Sequence, residues 1–158
     1  MTAEADPVTA EADPAFVDPA AVGRALWASD RASSGLGMVL EAVREHYARL
    51  SMVVRPDMVN GLGICHGGLV FTLADSAMAF ASNSQNQVAV AATAHIDWLS
   101  PAREGEALVA EATEHWNGGR SGLTDVVVTS ATDGRRVAIF HGRTARTGGT
   151  IIGPLVPG

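Results

Sequence analysis

The 158-residue chain contains no lysine and a single cysteine, and only 5% of it is aromatic. Every one of its 11 basic residues is therefore an arginine, and these face 17 acidic residues for a net charge of −6. A nucleic-acid surface needs concentrated positive charge to replace the counterions along the phosphates, so this balance argues against a DNA or RNA partner. One cysteine, Cys65, cannot close an internal disulfide, which agrees with a reducing compartment. No apolar run reaches the ~20 residues needed to span a bilayer. The first residues also lack the basic start and apolar stretch of a signal peptide. The expectation is a cytoplasmic protein without a membrane partner.

What the chain does have is apolar content, 47% of its residues, enough for one domain with a sizeable core. Residues 1–17 contain Thr-Ala-Glu-Ala-Asp-Pro twice, at positions 2–7 and 9–14. Small and acidic residues cannot bury enough surface to offset the entropy of ordering them, so this segment reads as a disordered tail. Residues 18–152 form the expected domain, and 153–158 read as a second tail. At the domain's start, Asp18 has the chemistry of an N-cap and Pro19 that of a first helical residue, which predicts a short helix over Pro19–Ser33 carrying Val22, Leu26 and Trp27.

The most informative stretch runs from Asn60 to Asp75, where Gly67 and Gly68 precede an apolar helix that carries one carboxylate. Val70, Phe71, Leu73, Ala74, Ala77, Met78, Phe80 and Ala81 fill a broad arc of the helical wheel, the pattern of a helix buried over most of its surface. Asp75 lies at the edge of that arc. It is either a carboxylate that looks out to solvent or one kept beside hydrocarbon because it has chemical work to do. The glycines also allow two readings. They shape the turn into the helix, or they let a substrate carbonyl approach the unpaired N–H groups and partial positive charge of the helix N-terminus.

Spacing constrains how these features can act together. Asp75 is eight residues beyond Gly67, about 12 Å along a straight helix. A reacting carbonyl must lie about 3 Å from both its attacking group and its oxyanion donors. If both features serve one reaction, they come from different subunits, and the chain is an obligate oligomer with sites shared across a two-fold interface.

Asn60-x-x-Gly63-x-x-His66-Gly67-Gly68 followed by Leu73-Ala74-Asp75 resembles the signature of hot-dog fold acyl-CoA thioesterases, nearest to those acting on phenylacetyl-CoA and hydroxyphenylacetyl-CoA in phenylacetate breakdown. The likeness extends through Val54–Asn60, Ile96-Asp97-Trp98-Leu99-x-Pro101 and Arg146–Ile151, across residues 35–152. It implies an α+β fold in which an antiparallel sheet wraps one long central helix and subunits pair as dimers, with a homotetramer as a dimer of dimers.

The resemblance further implies hydrolysis of a thioester, with Asp75 as general base or nucleophile and Gly67 of the partner subunit polarising the carbonyl. Asn60 and His66 join the catalytic group, while Gly68, Phe71 and Met78 line the acyl group. No metal or redox cofactor is implied, because a thioester is already activated; coenzyme A enters as part of the substrate. With no lysine, its phosphates must be met by arginine, histidine or backbone amides. Two alternatives remain at this stage: a hot-dog enoyl-thioester hydratase or dehydratase, and an acyl-CoA-binding sensor without catalysis.

Other reactive residues carry weaker patterns. Cys65 reads as a small buried hydrophobe. His95 and Asp97 share one face of a strand, but two ligands fall short of the three protein donors of a catalytic zinc site. Ser76 lacks the Gly-x-Ser-x-Gly elbow. Thr93 is a candidate to place a hydroxyl near water, without a secure register. His46, His115 and His141 fall in no usable motif. Expected strands are Met38–Val43, Tyr47–Arg55, Val88–Leu99, Ala107–Trp116, Leu123–Ala131 and Val137–Thr147, with turns at Arg44–His46, Asn117-Gly118-Gly119 and Asp133-Gly134. Over residues 37–55 helical and alternating spacing compete, and the resemblance decides for strands.

Overall fold

The computed structural model describes residues 17–153. The two expected tails fall almost wholly on residues outside that range. Helix α1 spans Pro19–Ser29, with the Asp18 carboxylate accepting the Ala20 amide and Pro19 in the first turn. The predicted helix is interrupted at Asp30. That residue closes α1 and then caps a short helix α2, Arg31–Gly35, by accepting the Ser33 amide at 2.9 Å. An N-capping side chain in mid-pattern thus splits one expected helix into two.

Six strands follow the expected sites: β1 (Val39–Arg44), β2 (Tyr47–Val53), β3 (Ala89–Trp98), β4 (Ala107–Gly118), β5 (Ser121–Ser130) and β6 (Arg136–Arg146). They form one antiparallel sheet in the order β1-β2-β4-β5-β6-β3. β4 and β5 pair as far as Gly118 opposite Ser121, so this hairpin is longer than the sequence suggested. Gly119 adopts φ +57° in its turn, a left-handed conformation that glycine takes without steric cost.

Helix α3, Gly67–Asn83, is the central element and packs against β2, β4 and β5. Leu73, Ala74, Ala77, Met78 and Ala81 are fully buried, joined by Val70 and Phe80. Each large apolar side chain among these contributes about 1.5–3 kcal/mol through burial. The sheet curls around this helix in the hot-dog arrangement. β3 lies at one sheet edge and is exposed along nearly all of its length.

Candidate functional site

The loop before α3 is fixed by its own backbone and by one side chain. Asn60 donates its backbone N–H to Ile64 O at 2.8 Å and accepts the Gly63 N–H at 2.9 Å. Its side-chain oxygen accepts the Leu62 amide at 2.9 Å and the Ile64 amide at 3.4 Å. The carboxamide oxygen is therefore committed to the loop, and Gly63 makes the turn possible with φ +73°. Two further bonds tie the loop down: Cys65 N–H to Ala102 O and His66 N–H to Met58 O, both 2.8 Å. The Cys65 thiol is buried, and burial pushes its pKa up, so it is poorly disposed to act as a thiolate.

His66 is the N-cap of α3, and its ring Nδ1 accepts the Gly68 amide at 2.9 Å. The amides of Leu69 and Val70 turn back to His66 O, at 2.9 and 3.4 Å. Among the described residues no acceptor engages the Gly67 N–H. Of the two glycine amides at the helix start, Gly68 is consumed by the cap and Gly67 is left open.

Gly67 borders a groove of about 380 Å³, together with Asn60, Ile64, Val70, Trp98 and Val137. The last residue of β3, Trp98, leans across the start of α3 and donates its indole N–H to Gly67 O at 3.2 Å. A Cβ at Gly67 would meet the indole Nε1 at 3.0 Å and Cε2 at 3.1 Å, closer than a carbon comfortably sits. A side chain here would therefore make the indole give way by a few tenths of an ångström.

Asp75 follows in the third turn of the same unbroken helix. It is half-buried, and burial pushes its carboxyl pKa above the ordinary aspartate range. No hydrogen bond or ion pair to a described residue compensates that cost. Phe71, one turn earlier, is partly buried and meets Phe140 edge-on, with ring centroids 5.3 Å apart.

Asn60 and Gly67 come together on the groove, while His66 and Gly68 hold the helix start without lining it, and Phe71 does not line it either. The structure does not bring Asp75 to that group within one subunit. Met78 departs from expectation: it is fully buried, its sulfur packed beneath Gly142 of β6, so within the subunit it is core rather than groove lining. Its proximity to Asp75 in helical spacing was real, but its side chain lies on the sheet-facing side. Thr93 borders a separate cavity on the outer face of the sheet, with His115, Asp125 and His141. His95 and Asp97 hydrogen-bond to each other at 3.1 Å on the exposed surface. Trp98 was missed as a site residue, although it stood inside the Ile96–Pro101 stretch that carried the resemblance.

The family described as Thioesterase superfamily matches residues 62–137. The acyl-coenzyme A thioesterase PaaI of Escherichia coli K12 is 38% identical over 129 residues, covering 82% of this chain and 91% of that protein. The solved structure of E. coli PaaI, from the phenylacetic acid degradation operon, superposes with a TM-score of 0.82 at 35% identity, covering 84% of this chain and 96% of that one. A mutant of the phenylacetic acid degradation protein PaaI from Thermus thermophilus gives a TM-score of 0.71 at 33% identity, over 74% of this chain and 99% of that one.

Proposed function

The chain belongs to the thioesterase superfamily, and from that premise we propose that it hydrolyses acyl-CoA thioesters, with arylacetyl groups of the phenylacetyl or hydroxyphenylacetyl type preferred. The observation that carries this reading is the open N–H of Gly67, a residue that borders a groove at the start of α3, with an unpaired, half-buried Asp75 on the same helix. The likeness to PaaI supports the CoA ester and the aryl group.

In the proposed reaction the thioester carbonyl oxygen accepts the Gly67 N–H, and the positive end of α3 stabilises the negative charge that grows there. His66 contributes by holding Gly68, which fixes the first turn. The Asn60 side-chain NH₂ has no partner among the described residues and is available to water or substrate. Asp75 either takes a proton from attacking water or attacks the carbonyl itself to form a mixed anhydride that water then hydrolyses. Both routes release the free acid and CoA thiol. A carboxyl whose pKa is raised by burial is a stronger base than an ordinary aspartate, which suits either route.

Because Gly67 and Asp75 are about 12 Å apart on one straight helix, the proposal assigns them to a shared site in a homodimer. The exposed outer edge of β3 supports that pairing, since a long free strand edge is normally covered or joined. A dimer of such dimers is the expected tetramer. No helix among the described residues is long and apolar enough to cross a membrane, and residence in the cytoplasm is part of the proposal. Release of free thiol from a panel of aryl and aliphatic acyl-CoAs tests the reading. Binding without release would favour an acyl-CoA sensor instead.

A further inference from the structure

The geometry points to Trp98 as the residue that both positions the Gly67 peptide and selects planar acyl groups in the groove. This rests on the thioester reading above and adds to it a residue outside its catalytic group.

Gly67 has no side chain to hold its backbone, yet it is the residue whose N–H is left open. Glycine loses the most conformational freedom on ordering, so an oxyanion donor on it needs an external brace. Trp98 supplies one from outside the helix. Its indole N–H reaches Gly67 O at 3.2 Å, and its ring occupies the space beside the Gly67 Cα where a Cβ would otherwise project. The brace comes from the end of β3, a different element, so it ties the start of α3 to the edge of the sheet.

Only part of the ring is spent on packing against Gly67. Within the single subunit Trp98 is 54% exposed, and it borders the groove beside Gly67 and Val70. Burying a tryptophan side chain is strongly favourable, and one left half-open next to a cavity has a face free for another flat group. A carbonyl bonded to the Gly67 N–H brings its acyl substituent near that face. An aryl ring can stack there or meet it edge-on, whereas an alkyl chain gains only area. Aromatic pairs gain about 0.5–1.5 kcal/mol beyond burial, a factor of roughly 2 to 10 in affinity.

The two roles separate by substitution. Trp98→Phe keeps an aromatic face and removes the N–H; Trp98→Leu removes both. Because the side chain is exposed at a strand end, neither change empties the core, and equal melting temperatures would verify that. With phenylacetyl-CoA and hexanoyl-CoA, Trp98→Phe is expected to lower kcat about 5-fold for both, the worth of one hydrogen bond, with KM within about twofold. Trp98→Leu is expected to show the same loss of kcat and, in addition, a KM for phenylacetyl-CoA raised roughly 2- to 10-fold while that for hexanoyl-CoA holds. Calorimetric titration with non-hydrolysable ketone analogues of both thioesters reads the selectivity without turnover. If the wild type releases no thiol, the hydrolytic reading falls, while the analogue titrations still decide the role of Trp98 in selection. Unchanged kcat in both variants, or an equal loss of affinity for the two analogues in Trp98→Leu, would overturn the assignment.

Discussion

The ring Nδ1 of His66 accepts the amide of Gly68 at 2.9 Å, so the imidazole caps the helix whose first amide, that of Gly67, stays open. A histidine beside a glycine pair could have been read as an acid or base. Its geometry makes it the group that closes one donor and so singles out the other.

That relationship predicts how the position tolerates change. His66→Ala should lower stability by about 1 kcal/mol, as loss of an N-cap does, and reduce kcat through a loosened first turn. His66→Asn, which can also accept the Gly68 amide, should restore most of the stability and part of the turnover. Thermal melts paired with thiol-release kinetics provide the check, and a His66→Asn enzyme as slow as His66→Ala would assign His66 a role beyond capping.

Asp75→Asn should lower kcat by at least ~100-fold, because the amide keeps the shape and loses both basicity and nucleophilicity. The same change should raise stability at neutral pH. A carboxyl whose folded pKa lies above its unfolded value binds its proton more tightly when folded, so it is most compatible with the fold below the unfolded pKa. That advantage is lost as pH rises through the raised folded value. The gain from Asn should therefore appear above that range and fade in acid. For the same reason the acid limb of the wild-type kcat/KM profile should fall above the ordinary aspartate range. Denaturant melts across pH, set beside the rate profile, measure both.

The expected substrate choice rests on the likeness to PaaI, with which the largely apolar lining of the groove is compatible. Phenylacetyl-CoA or its hydroxylated forms should show higher kcat/KM than hexanoyl-CoA, with measurable overlap, since an apolar pocket separates such groups by only about 1–3 kcal/mol. A strong preference for aliphatic chains would keep hydrolysis and remove the aryl specificity.

The sequence carried much of this arrangement because its signals were local. Asp18 before Pro19 marked a helix start, alternation marked the later strands, and the glycine pair before an apolar run marked the buried helix. Residues 37–55 carried two periods at once, and only family likeness decided for strands. What stayed hidden depends on contacts between distant segments. Asp30 is a local exception: a cap three residues from its partner, in the middle of a helical pattern, split the helix by accepting the Ser33 amide. His46, which fell in no motif, pairs with the buried Glu114 at 2.7 Å, and His141 meets Asp125 at 2.6 Å. Met78 shared helical spacing with Asp75 but faces Gly142, 64 residues away in sequence. Trp98 reaches Gly67 across 31 residues, a contact that no periodicity encodes.

The contact between those two residues makes Gly67→Ala informative only beside a second change. The new methyl should press on the indole at about 3 Å, so the single variant should lose turnover and some stability. Part of that loss should be relieved in Gly67→Ala/Trp98→Leu, where the obstructing ring is gone. A double-mutant cycle on melting temperature and kcat would show coupling of roughly 0.5–3 kcal/mol if the clash is the cause. Additive effects would place the damage in the backbone of the turn.

A site shared between subunits can be restored by mixing two defective chains. Asp75→Asn and Gly67→Ala homodimers should each be nearly inactive, since every site carries one defect. In a hybrid dimer one site takes Gly67 from the first chain and Asp75 from the second, so it is intact, while the other carries both defects. Random reassortment of an equal mixture makes half of the dimers hybrids with one good site of two, so about a quarter of wild-type activity should return. Subunits can be exchanged by mild dissociation and reassembly, with differently tagged chains to verify and isolate the hybrids. Sites built within single subunits would give no recovery at all, because each chain would still lack one of the two groups. Verified hybrids without activity would therefore rule out the two-subunit arrangement.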